Sequence, residues 1–94
     1  MPKAVFNNTI LAEYDDIILL EGNHYFPPES VNKQYLRPSE TRTECHWKGI
    51  ATYYDIVVDN QESKDAAWSY TDPLPVATAI KDHVAFGEDV EIVP

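Results

Sequence analysis

Short apolar runs separated by polar pairs open the chain. Ala4-Val5-Phe6 and Thr9 to Tyr14 flank Asn7-Asn8. Asparagine tolerates the left-handed conformation of tight hairpin turns, so this stretch predicts a β-hairpin. Asp15-Asp16 reads as a second turn, feeding a strand from Ile17 to Glu21; Gly22-Asn23 reads as a turn or bulge before a strand His24-Tyr25-Phe26. Together these segments predict an antiparallel meander. The spacing changes at Pro27-Pro28. Proline suits the first helical turn, where its missing N–H costs nothing, and Glu29 suits the positive end of a helix dipole. Val31, Tyr35 and Leu36 follow at helical spacing, which predicts a short helix ending by Leu36, ahead of Pro38.

Beyond it, Ser39 to Trp47 reads as strand, Gly49 as a break, and Ile50 to Val58 as the longest strand. Asp59 to Asp65 reads as a polar connection, and Ala66 to Tyr70 returns as strand. A proline-fixed loop, Thr71 to Pro75, precedes a helical turn over Val76 to Ile80. His83 to Phe86 and Val90 to Ile92 are the last strands, joined by Gly87-Glu88-Asp89. The predicted fold is mainly β, antiparallel, with two short helices.

Ninety-four residues make one domain, and a 44% hydrophobic content with eleven aromatics (Trp 2, Tyr 6, Phe 3) is ample for one core. Lys+Arg 7 against Asp+Glu 16 gives a net charge of −9. A surface this acidic repels phosphodiester backbones, so nucleic acid is not an expected partner. The lone Cys45 cannot form an internal disulfide, no secretory h-region follows Met1-Pro2-Lys3, and Ile17 to Leu20 is too short to span a bilayer. The expectation is a cytosolic protein with no membrane segment.

Thr41 to Tyr54 concentrates the candidate chemistry, holding Cys45, His46, Trp47 and Lys48. If residues 41–48 are extended, Thr41, Thr43, Cys45 and Trp47 share one face and Arg42, Glu44, His46 and Lys48 the other. Cys45 and His46 then point apart, and a base for Cys45 would come from His24 or His83 on another strand. The bland reading of Cys45 is a small buried hydrophobe. The Arg42/His46/Lys48 face is the densest positive patch, suited to a carboxylate or phosphate or to pairing with acidic neighbours on adjacent strands. Cys45 with the histidines supplies zinc-ligand types, but no Cys-x-x-Cys or paired-His spacing occurs, so neither metal nor cofactor is expected.

Glu21-Gly22-Asn23-His24-Tyr25-Phe26-Pro27-Pro28-Glu29-Ser30-Val31 resembles the "EGNxYFPxexV" segment of domain-of-unknown-function family 427. Thr43 to Tyr54 resembles its "TxCxWKGxAxYY" signature, with His46 where members often carry proline. Asp65 to Tyr70 with Asp72-Pro73, and Ile80 to Phe86, are similar to its later segments. The family has carried a provisional nucleotidyltransferase label, yet this chain shows no acidic metal ligands beside a phosphate-binding loop. The resemblance implies a β-tent-like fold, two antiparallel sheets meeting at an angle. The zinc-pinning Cys-x-x-Cys pairs of β-tent relatives are missing here, so packing must hold the sheets.

The resulting expectation is a binding domain. Its cleft is walled by Tyr25, Trp47, Tyr53 and Trp68, with Arg42 and Lys48 orienting a small polar or anionic ligand. The alternatives are an enzyme using Cys45 as nucleophile or redox thiol, and a protein-interaction or structural module.

Overall fold

Asn7 and Asn8 both adopt left-handed backbone, at φ 50° and 59°, and close the first hairpin as the sequence predicts. The structure is a computed structural model describing Met1–Pro94. Strand β1 (Lys3–Phe6) pairs with β2 (Thr9–Glu13) through this turn, and β3 (Ile18–Leu20) pairs with β4 (Asn23–Tyr25). The long strands β5 (Leu36–Cys45), β6 (Gly49–Val58) and β7 (Gln61–Ser69) form a second meander, which β8 (Val84–Phe86) extends. The last strand, β9 (Glu91–Val93), returns to pair with β1.

The domain is mainly β and antiparallel, with three sheets rather than two: β2-β1-β9, β3-β4 and β5-β6-β7-β8. The first four strands are therefore not one meander. Phe26 and Val84 stitch the two-stranded sheet to the four-stranded one by a reciprocal pair of backbone hydrogen bonds, 2.9 and 2.8 Å.

Strands β6, β7 and β8 form a partition packed on both faces, while the edge strand β5 has no buried residue. Cross-strand neighbours share a face, and Pro38, Tyr54, Ala67 and Phe86 lie in one register row. On that face Phe86 and Ala67 join Ile56, Val58 and Phe26 in packing against Ala4, Leu11 and Ala12 of the three-stranded sheet. The next row, Tyr53, Trp68 and Ala85, looks the other way. It packs with Tyr25, Ala51, Tyr70, Ala77 and Ile80, against Ile18 and Leu20 of the small hairpin. Adjacent Tyr25 and Phe26, both fully buried, serve opposite cores.

The helices differ from expectation in number and kind. Residues 27–36 form two 3-10 turns, Pro28–Ser30 and Lys33–Tyr35, instead of one helix. Between them Val31 bridges to Ala12, and the Asn32 N–H donates to the Leu11 carbonyl at 2.7 Å. Those sheet-like bonds claim backbone groups that a helix would need. A third 3-10 segment, Pro75–Ile80, plugs the second core with Ala77 and Ile80. Residues 61–65, read as connection, belong to β7, and the hairpin turn shrinks to Asp59-Asn60.

Candidate functional site

Cys45 pairs with Gly49, so His46, Trp47 and Lys48 are the turn of the β5–β6 hairpin and not the end of a strand. Strand alternation therefore does not govern where they point. Gly49 sits at φ +114°, a conformation side chains rarely adopt, and a Cβ there would lie 3.4 Å from the Leu74 nitrogen. The same nitrogen donates to the Lys48 carbonyl at 2.9 Å, fastening the turn to the 71–75 loop. Held this way, the Lys48 side chain runs inward.

Its ammonium meets one carboxylate, Glu21, which belongs to the turn joining β3 and β4. Only 8% of the lysine side chain is exposed, against 47% of the glutamate's. The Trp47 ring centroid lies 5.2 Å from Nζ and that of Tyr70 5.5 Å, both within cation–π range. Burial pulls the Lys48 pKa down, but the Glu21 hydrogen bond and the nearby Tyr70 and Tyr25 phenols outweigh it, and the net direction is upward. Glu21 moves below the ordinary carboxylate range, chiefly through its hydrogen bond from Lys48. Burial pushes the Tyr70 phenol up. Lys48 is thus a charged ammonium at neutral pH. It is suited to holding an anion and unsuited to acting as an amine nucleophile or base.

Tyr25, Trp47, Tyr53 and Trp68 all surround the same core. The Trp68 indole N–H donates to the Tyr25 hydroxyl at 3.3 Å. Tyr53 and Trp68 are tilted with centroids 6.0 Å apart, and the Tyr53 hydroxyl shares a 3.0 Å hydrogen bond with Thr43. These rings pack on one another, and no cavity is lined by Tyr25, Trp47, Lys48 or Tyr53.

Arg42 stands apart from this cluster. Its guanidinium donates to the Ser39 and Thr41 carbonyls, at 2.9 and 2.8 Å, where the β5–β6 register shifts. It makes no bond to the aromatic residues. Cys45 is half-buried with a free thiol. It packs at the edge of the second core and, with His46, Thr71 and Asp72, lines a cavity of about 290 Å³. No histidine hydrogen-bonds to it; the His83 ring meets the Lys81 carbonyl instead.

Sequence reasoning did not find Glu21 and Tyr70 as partners of Lys48. The missed signal is physical: a lysine drawn into an aromatic core needs a carboxylate. No group of three His, Cys, Asp or Glu side chains is placed to hold a metal ion, and no helix is long and apolar enough to cross a membrane.

The segments that carry the family resemblance converge here. Glu21 and Tyr25 come from the first, Trp47 and Lys48 from the second, Trp68 and Tyr70 from the third. No curated protein matches the chain. A family model does, over residues 3–93, and it is described as a domain of unknown function. The chain belongs to that family, DUF427.

Proposed function

We propose that this domain binds a small polar or anionic ligand at Lys48, with the ligand's acidic group taking the place of the Glu21 carboxylate. One observation carries the reading: a desolvated ammonium, flanked by the faces of Trp47 and Tyr70, has a single counter-ion that is itself half-exposed. The folded chain has already desolvated the cation, so an incoming anion meets a preorganised charge with aromatic walls. Glu21 can move into water at little cost, whereas Lys48 cannot leave its core. Within this reading the β3-β4 and β5-β6-β7-β8 sheets form one slope of a β-tent, supported by the Phe26–Val84 stitch. The protein works in the cytosol, supported by its single unpaired cysteine.

Thermal-shift screening against inorganic phosphate, acetate, sugar phosphates and nucleotides tests the proposal. At least one anion should raise the wild-type melting temperature and leave Lys48→Met unmoved. No shift with any of them, or equal shifts in the variant, overturns it.

A second reading makes Cys45 a nucleophile or redox thiol, favoured by the cavity it shares with His46 and Asp72. Iodoacetamide labelling of the folded protein decides it. A thiol that reacts only after unfolding ends that reading.

A further inference from the structure

The chain must travel from β4, joined at the β8 edge of the four-stranded sheet, to β5 at the far edge. Residues 27–35 make that crossing over the Tyr54 face, where Val31 and Tyr35 join the first core. The crossing leaves a cavity of about 390 Å³ between itself and the sheet. This is within the range of small-molecule pockets. Leu36, Pro38 and Val84 supply apolar wall, and Tyr54 and Ser69 supply hydroxyls.

Those hydroxyls leave a donor unused. Ser69 is 2% exposed, and its only side-chain hydrogen bond is the 3.3 Å contact with the Tyr54 hydroxyl. Two O–H groups share one bond, so one proton is left over, and no carbonyl or carboxylate of the protein takes it. Tyr54 is only partly buried, so that proton is open to the cavity, where an acceptor group of a ligand can take it in place of water. Two opposite charges also line the cavity: Lys33 from the crossing segment and Asp82 from the loop ahead of β8. Neither makes an ion pair. Asp82 is held at φ 62°, its N–H donating to the Tyr70 carbonyl at 3.0 Å.

We infer that this cavity is a second binding site, separate from Lys48, for a small zwitterion with an apolar body: an apolar α-amino acid. Its carboxylate accepts from the spare hydroxyl and faces Lys33. Its ammonium faces Asp82, and its side chain lies on Leu36, Pro38 and Val84. A simple fatty acid leaves Asp82 unmatched, and a simple amine leaves the hydroxyl and Lys33 unmatched.

Amide NMR titrations of the whole protein with L-leucine, 4-methylpentanoate and 3-methylbutylamine test this. Leucine should give saturable shifts at Tyr54, Ser69 and Val84, with each analogue about tenfold weaker or more, the loss expected for one unmatched polar group. Asp82→Asn should erase the preference over 4-methylpentanoate, and Lys33→Met should shrink the preference over the amine to the part owed to the spare hydroxyl. Both positions are exposed, so these variants keep the fold. Lys48→Met should leave the leucine shifts unchanged, which separates failure here from failure at Lys48. Absent saturable shifts, equal binding of all three probes, or preferences unmoved by either variant would overturn the assignment.

Discussion

Lys48 and Glu21 join two hairpin turns through one ion pair, the ammonium buried and the carboxylate half in water. Lys48 lies in the β5–β6 turn and Glu21 in the β3–β4 turn, so the contact ties two sheets as well as two residues. That asymmetry of burial underlies the ligand-exchange reading and sets the pH behaviour.

Glu21 is depressed below its ordinary value of 4.5, so its contribution to stability is complete above that pH and is lost as pH falls through the folded value. Lys48 is raised above its ordinary 10.5, so its contribution is complete below that pH and is lost as pH rises through the folded value. Urea midpoints of wild type and Glu21→Gln should therefore differ most between these limits. They should converge in acid, where Glu21 is protonated. A constant difference down to pH 2–3, roughly two units below the ordinary value, would contradict the pairing.

The Trp68–Tyr25 hydrogen bond fixes the small hairpin against the sheet. Tyr25→Phe removes its acceptor and should destabilise by about 1 kcal/mol in urea unfolding. In a cycle with Trp68→Phe the double variant should lose less than the sum of the singles. Strict additivity would show that the two side chains do not interact.

Gly49 is the hinge of the Lys48 turn. Gly49→Ala strains the backbone at φ +114° and presses a Cβ toward the 71–75 loop. The expected loss is about 1–3 kcal/mol, with Trp47 fluorescence shifting toward the solvent-exposed range. Unchanged stability would mean the turn relaxes without cost.

At the first hairpin, Asn8→Val forces a β-branched residue into left-handed backbone and should cost about 1–2 kcal/mol, while Asn8→Gly should raise the melting temperature. Equal melting temperatures for the two variants would contradict the turn geometry at φ 59°.

Local chemistry was legible where neighbours in sequence decide the outcome. The Asn7-Asn8 turn depends on what asparagine tolerates. Composition pointed to one core, and only the tertiary structure shows Tyr54 and Ala67 in one cluster and Tyr53 and Trp68 in another. Pairing partners were not legible, because periodicity shows which face is apolar and not which strand lies beside it. Hence β9 closing on β1, and Val31 bridging Ala12, needed the tertiary structure. Residues 61–65 looked like a loop because their polar side chains find partners far along the chain. Ser63 donates to Asp89 at 2.6 Å, and Asp65 accepts from Ser39 at 2.5 Å and Thr41 at 2.8 Å. At the site, the aromatic residues and Lys48 were named, but alternation was carried through three turn residues and so does not set where Lys48 points relative to Arg42. Arg42 satisfies carbonyls of its own irregular strand.

Calorimetric titration of inorganic phosphate into wild type, Glu21→Gln and Lys48→Met shows whether an anion competes with Glu21 for Lys48. If an anion binds by replacing Glu21, removing that competitor should tighten phosphate binding about tenfold or more, and Lys48→Met should abolish it. Phosphate binding no tighter in Glu21→Gln than in wild type, or retained in Lys48→Met, would show that Lys48 does not exchange Glu21 for an anion.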